Sequence, residues 1–400
     1  MYSAHIVICG AGILGLTIAR ELVAAGCDDI VVFDKEPAQG RHASGRNSGV
    51  LHAGIYYDPG TLKAKMCLEG NRRMTAFCEE KGLPLFKSGK VIVARTEDER
   101  GVLDELLRRA TANGGTVEMI DEKRLAVIEP NARTVDRALF SPLTSVVDPK
   151  RVLDALREEL ETSGKVRFFF NTRFIGATGP NTVSTNQGDI GHKLFINAAG
   201  AYSDKVAQAF GIAENYRLLP FKGIYRKLAK PAADRIKGSI YPVPNIKNPF
   251  LGVHFTRSVH GDVYVGPTAI PAFGRENYGI LKGLDAEVPE ILFRDARMFM
   301  ENEKFRAIAL EEPRKYFFKH FFRDAARLVR ELRPEDMLPS SKAGIRPQLV
   351  DIRTNRLVMD FVTEKALNSV HILNSISPAF TSSMYFAELV VKEHIGNLQH

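Results

Sequence analysis

The sequence predicts an α/β chain carrying an α+β insert, and three observations predict it. Residues 5–9 form an apolar strand that runs into Gly10-Ala11-Gly12-Ile13-Leu14-Gly15; helical spacing follows over 13–25, and a second apolar strand, 30–33, ends at Asp34. Residues 218–272 change texture to short strand-like runs punctuated by Pro and Gly. The tail then returns to strands at 357–362 and 370–374 and closes with a helix over about 379–395. Alternation at both ends with β-rich sequence between predicts a Rossmann-like domain, discontinuous in the chain and interrupted by a β-sheet substrate domain. The expected parts are 1–82, 145–215 and 335–400 for the first domain and 83–144 and 216–334 for the second.

The remaining elements follow in order. A loop rich in Gly, Ser and Asn at 40–60 precedes a helix over about 61–81. Residues 89–95 read as a strand and 97–113 as a charged amphipathic helix. Asp148-Pro149 is a helix start, with Asp as cap and Pro in the first turn, for a helix reaching about 162. Strands at 166–170 and 193–196 come next, the latter running into Asn197-Ala198-Ala199-Gly200. The β-rich tract contains strands at 220–228, 238–243, 250–256 and 262–266, and a helical block spans 285–333.

Composition narrows the class. Four hundred residues, 44% hydrophobic and 26% charged, suit a soluble globular protein with more than one domain. No stretch approaches the roughly 20 apolar residues that span a bilayer, and the first residues lack the basic flank of a signal peptide. A cytoplasmic chain, or a mature one stripped of targeting, is expected, with peripheral contact at the inner face of the cell membrane as an option. The four cysteines, Cys9, Cys27, Cys67 and Cys78, show no C-x-x-C spacing, so neither a redox pair nor a metal site is expected. The net charge of +8 is dispersed except near 314–333 and comes with no nucleic-acid motif, so no nucleic-acid partner is expected.

The glycine motif has a physical role at each position. Gly10 permits the tight turn, Gly12 lets backbone N–H groups approach a pyrophosphate, and Gly15 lets the helix lie close on the sheet. The helix N-terminus favours the phosphate charge, and Asp34, 19 residues after Gly15, is placed to accept from a ribose hydroxyl. A reductase fed by NADH would need a second fingerprint. Only one is present, which favours FAD as the resident cofactor, reduced by the substrate itself. Beyond Asp34, the run Arg41 to Tyr57 is rich in small polar residues: its glycines allow close approach to a planar ring, and Ser44, Asn47 and Ser48 supply donors.

In that run, and in 44–65 (SGRNSGVLHAGIYYDPGTLKAK), 197–206 (NAAGAYSDKV), 240–257 (IYPVPNIKNPFLGVHFTR) and 374–383 (NSISPAFTSS), the chain resembles the D-amino-acid-oxidase-like flavoproteins. Within them it is similar to the L-2-hydroxyglutarate dehydrogenase (oxidase) family over nearly its whole length. The resemblance implies a Rossmann-like FAD domain carrying a β-sheet substrate domain, with the isoalloxazine ring at their junction. It also implies oxidation of L-2-hydroxyglutarate to 2-oxoglutarate, with electrons passed to a quinone or another acceptor at the membrane. It extends the cofactor set to Ile13, Leu14, Lys35, Arg46, Gly49, Val50, His52, Phe174, Ala198, Ala199, Gly200 and Gly344. The start of the last helix, with Pro378, Ala379, Thr381 and Ser382, is implied to aim N–H groups at the negative charge of reduced flavin. Departures fall in the substrate domain, where Lys222 replaces Arg, Ile224 an acid, Arg226 a Tyr and Thr268 an Asn.

Oxidising a 2-hydroxy acid needs a base for the hydroxyl proton and cations for the carboxylates. His254 is the expected base and His52 a group that orients flavin or substrate, with a covalent flavin link at His52 as an alternative. Arg346, in Gly344-Ile345-Arg346-Pro347, resembles the superfamily's G-x-R-P strand and suits a bidentate carboxylate pair. Lys222 and Arg257 are candidates for the distal carboxylate, and Tyr57, next to Tyr56, for a hydrogen bond. Residues 314–333 set Phe317, Phe321, Leu328 and Leu332 on one face amid basic residues, a pattern compatible with an anionic membrane surface or with packing on the substrate domain. Three rivals stay open: an amine oxidase of the glycine or sarcosine type, a dehydrogenase of another 2-hydroxy acid, and a flavin-binding subunit without turnover.

Overall fold

The computed structural model describes residues 2–245, 251–375 and 377–394. The chain divides into two compact units, one of Met1–Asn47, Pro149–Pro220 and Arg346–His400, the other of Ser48–Asp148 and Phe221–Ile345. Two long strands, Tyr216–Leu228 and Met337–Asp351, contribute residues to both.

In the first unit the apolar run Tyr2–Cys9 is a central strand, parallel to Ile30–Phe33 on one side and to Gly188–Asn197 on the other. Val166–Phe169 extends the sheet beyond Ile30–Phe33, and Ser369–Asn374 extends it beyond Gly188–Asn197. The chain therefore leaves the C-terminal ends of two adjacent strands, Cys9 and Asn197, in opposite directions, the switch point at which open α/β sheets bind ligands. Strands buried on both faces read as continuous Val, Ile and Phe. The helix Ile13–Ala24 packs on the closing helix Ala379–His394.

In the second unit the sheet runs in the order Met337–Asp351, Tyr216–Leu228, Val263–Gly266, His254–Arg257, Ser239–Pro242, Lys90–Val93, Arg137–Ser141, Glu118–Asp121. A small sheet joins Val50–Leu51 and Leu85–Phe86 to Ser145–Val147. The helix Leu62–Glu80 begins where Thr61 Oγ1 accepts from Ala64 N.

Several boundaries differ from the sequence reading. Residues 48–82, expected with the nucleotide domain, fall in the second unit. Pairing of Val50–Leu51 with Ser145–Val147 fixes them there, as do bonds from Asn71 Nδ2 to Leu51 O, His52 O and Leu143 O. Residues 216–220 belong to the first unit, and 145–148 and 335–345 to the second. The expected strand at 357–362 is two short ones, Arg356–Leu357 and Val362–Ala366. Residues 246–250, Ile376 and 395, parts of the strand at 250–256, the 374–383 stretch and the last helix, lie outside the described residues. The 314–333 segment is a 3-10 turn, Glu312–Tyr316, then a helix Phe318–Ala326. Phe321, Ala325, Leu328 and Val329 are core residues with Phe318, Phe322 and Leu332 packed against them, so the apolar face covers the sheet, while Tyr316 and Phe317 are left exposed.

Two buried histidines of the first unit make its stability pH-dependent. Burial pushes His192 and His371 down to about 4; His371 is held by Asn197 and by Ser369 Oγ. The unfolded chain protonates near ~6.5, so between there and about 4 it binds more protons than the folded one. Stability is full above that window and falls as pH is lowered through it. Thermal unfolding is expected to lose several degrees across the window, and His371→Asn to flatten part of that slope; a midpoint independent of pH there contradicts the assignment.

Candidate active site

The first unit builds an anion cradle from backbone. Gly10 has φ +112°, and a Cβ there would lie 2.4 Å from Ala198 O. A Cβ on Gly15 would lie 1.9 Å from Gly10 O, which is how closely helix and strand approach. The N-cap residue, Gly12, offers no side chain of its own, and a Cβ there would meet Ser44 Oγ at 3.0 Å. Ser44 Oγ accepts from Ile13 N at 2.9 Å, which ties the 41–47 loop to the first helical turn. The side chains of Ile13 and Leu14 are buried, so these residues present only backbone. Asp34 accepts from Ala11 N (2.7 Å) and Glu36 N (2.9 Å). Burial raises its carboxyl, opposed by those two N–H groups.

The second unit holds a buried polar cluster on one face of its sheet. His254 and Tyr241 stack with ring centroids 3.8 Å apart. His254 Nδ1 lies 2.8 Å from Gly252 O; only a protonated Nδ1 can bond a carbonyl, so the neutral ring carries its lone pair on Nε2. That tautomer is the one a base needs. Lys90 lies 4.6 Å from the Tyr56 ring centroid and 4.9 Å from that of Tyr241. His52 is half-buried at the end of Val50–Leu51, and its carbonyl accepts from Asn71 and Cys67.

A family described as DAO, FAD dependent oxidoreductase, matches residues 5–393. The chain belongs to that family. An L-2-hydroxyglutarate dehydrogenase from Indibacter alkaliphilus is 37% identical over 389 residues, spanning 95% of this chain and 96% of the relative. The mitochondrial L-2-hydroxyglutarate dehydrogenase of Homo sapiens is 32% identical over 412 residues, 98% of this chain and 88% of the relative. The structure of L-alpha-glycerophosphate oxidase from Mycoplasma pneumoniae, dithionite-reduced with FAD bound, matches with a TM-score of 0.76 at 23% identity, covering 98% and 95% of the two chains. At that identity the match shows a shared fold.

The residues present fit the FAD of this DAO-family oxidoreductase. The Gly10–Gly15 turn is stripped of side chains where a pyrophosphate must meet N–H groups, and a Cβ at Gly10 would strike backbone. Asp34 retains lone pairs for a ribose. Gly200 (φ +56°) follows Ala198 and Ala199 beside that turn, with Ala198 N bonded to Cys9 O. Nearby, Lys35 pairs with Glu36 at 2.8 Å and lies over the Tyr202 ring. Burial opposes ionisation of Glu36, yet hydrogen bonds from Lys35 and His42 hold its carboxyl down to about 2. Asn47 Nδ2 donates to Ala43 O and Ser44 O, and Arg46 Nε to Arg41 O, which fixes the loop's shape. Ser48, Gly49 and Val50 fall in the second unit, where Val147 N donates to Gly49 O.

Some expected roles change. Phe174 packs against Phe195 and Phe210, so its side chain is a core group and only its backbone remains for a cofactor. Pro378, Thr381 and Ser382 are buried and Ala379 half-buried, and Ser382 Oγ is buried without a hydrogen-bond partner among the described residues. Arg257 is corrected from substrate ligand to structural cap. It stands three residues after His254 on one strand, hence on the opposite face, and its Nη1 donates to Ala233 O and Ile236 O. Lys222 is corrected to a loop clamp, with Nζ bonded to Asn277 Oδ1 (3.1 Å) and Gly279 O (2.7 Å). Lys222, Ile224 and Arg226 share one strand face. Lys222 lies by Tyr316 and Arg226 over Phe318, so a helical segment covers both side chains. Arg346 is half-buried on Met337–Asp351, on the same strand face as Gly344. Tyr57 lies under Lys63, while the neighbouring Tyr56 faces Lys90.

Sequence reasoning missed Lys90 and Tyr241. Their signal was a charged residue opening the apolar strand Lys-Val-Ile-Val and an aromatic inside Ser-Ile-Tyr-Pro. Because the cradle depends on Gly12 having no side chain, Gly12→Ala is expected to weaken FAD binding at least ~10-fold while far-UV circular dichroism stays unchanged. Flavin absorbance of the purified variant checks it; full flavin occupancy contradicts the assignment.

Proposed function

We propose that this chain oxidises L-2-hydroxyglutarate to 2-oxoglutarate, with FAD held by the first unit as electron acceptor. The observation that carries the reading is the 37% identity, over 95% of the chain, to a protein named for that reaction. Bound FAD supplies a hydride acceptor at flavin N5. The residues supply the rest. His254 Nε2 takes the C2 hydroxyl proton, its ring fixed by the Nδ1–H bond to Gly252 O. Arg346 holds a substrate carboxylate with its planar guanidinium. His52 and Tyr57 orient substrate or cofactor. The substrate loses the C2 hydrogen with two electrons and the hydroxyl hydrogen as a proton, and C2–O becomes a carbonyl.

Electrons then leave to a quinone or another acceptor, and peripheral contact with an anionic membrane at the inner face brings that acceptor near. The surface that supports this contact is the helix Val288–Glu301, where Leu292, Phe293 and Met300 are 47%, 69% and 67% exposed. Ala296 completes an exposed stripe at helical spacing.

Added without oxygen, L-2-hydroxyglutarate is expected to bleach the flavin band, and glycine or sarcosine to leave it unchanged. His254→Gln should slow bleaching by ~10²–10³-fold, and Arg346→Lys should raise the half-saturating substrate concentration at least ~10-fold. Bleaching by the amines alone contradicts the reading. For the membrane, the protein should cosediment with phosphatidylserine vesicles at low salt and Phe293→Asp/Met300→Asp should not; equal sedimentation of both removes the helix from that role.

A further inference from the structure

Lys90 has an unusual position. It opens the strand Lys90–Val93, is 1% exposed, and its Nζ has no hydrogen-bond partner among the described residues. The hydroxyls of Ser239, directly across the strand pair from it, and of Tyr56 are likewise buried without a partner. An ammonium in such surroundings finds only aromatic faces: Tyr56 at 4.6 Å and Tyr241 at 4.9 Å. The sheet order then matters. Ser239–Pro242, which carries Tyr241, lies between His254–Arg257 and Lys90–Val93. His254 therefore stacks on Tyr241 from one neighbouring strand while Lys90 approaches the same ring from the other.

We propose that Lys90 is a positioning residue for His254: across the Tyr241 ring, its charge decides how readily the imidazole holds a proton. The inference rests on the reading of His254 as the base. A base that takes a substrate proton becomes an imidazolium, and the π face of Tyr241 favours that cation. An ammonium on the ring's far side competes for the same quadrupole and repels the imidazolium. Burial pushes Lys90 down to about 7. The ammonium is thus present on the acid side of that value and withdrawn on the alkaline side. The titratable groups around it are Tyr56 from the loop, Cys67 from the helix Leu62–Glu80, and Tyr241 from its neighbouring strand, with His254 beyond. Burial raises the tyrosine hydroxyls and the Cys67 thiol, so these stay neutral. Among the described residues no carboxylate pairs with Lys90, and the interaction with His254 is one between two basic groups. Contacts of 4.9 Å from Lys90 and 3.8 Å from His254 to the Tyr241 ring centre bring the two groups within ~10 Å, where an effective permittivity near 20 gives a mutual titration shift of roughly one pH unit.

The test is a titration of the oxidised, FAD-loaded protein without substrate, labelled with [13Cε1]histidine. The His254 signal is assigned by its loss in His254→Gln. In the unsubstituted protein the signal is expected to follow a two-step curve, because it senses Lys90 as well as its own proton. In Lys90→Met the curve should become single-step and its midpoint rise by roughly one unit, and the acid limb of anaerobic flavin reduction should move the same way. A single-step curve in the unsubstituted protein overturns the proposal even if the variant does not fold. A folded variant with an unmoved midpoint overturns it equally. Failure of the base reading looks different: His254→Gln then bleaches its flavin at the normal rate, whatever the titration shows.

Discussion

A pyrophosphate must be met by backbone N–H groups, and no side chain can stand in the way; the rest of the first unit depends on that constraint. It places glycine at Gly10, where φ is +112° and a Cβ would strike Ala198 O, and at Gly15, where helix and strand nearly touch. The parallel order of Ile30–Phe33, Tyr2–Cys9 and Gly188–Asn197 follows, because only a switch point brings two such loops to one edge. The helix Ala379–His394 packs on Ile13–Ala24 with small buried hydroxyl residues in its first turn.

The second unit solves a different problem, that of holding ionisable side chains inside a sheet. His254 gains its tautomer from one carbonyl and its support from one ring. Glu129, buried, accepts from Lys237 N and Gly238 N. Lys315 pairs with Glu312, whose other oxygen accepts from Ala269 N. Lys90 alone in this set is surrounded by rings rather than by bonds. Glu129, Glu312 and Lys315 are matched by partners, whereas Lys90 has none among the described residues and lies beside the ring that stacks on the candidate base.

Much of this was legible in the sequence, for a physical reason. The βαβ unit reads directly because its strands are uniformly apolar and its turn requires glycine, so Gly10, Gly12, Gly15 and Asp34 could be named with their tasks. His254 stood out through the 240–257 stretch. What was not legible depends on pairing across the chain. Residues 48–82 look like a continuation of the nucleotide domain until Val50–Leu51 is seen paired with Ser145–Val147. The amphipathic pattern at 314–333 is real, yet periodicity cannot say whether an apolar face meets lipid or a sheet, and here it meets the sheet. Arg257 follows His254 by three residues, and only the pleat reveals that it faces away. Lys90 and Tyr241 are remote in sequence and meet through strand register alone.

The central claim is that this chain removes hydrogen from C2 of L-2-hydroxyglutarate. Its most direct test is single-turnover flavin reduction, without oxygen, by substrate carrying deuterium at C2. The account predicts reduction slowed several-fold relative to protiated substrate, with one 2-oxoglutarate formed for each flavin reduced. An unreduced flavin, or reduction without 2-oxoglutarate, contradicts it.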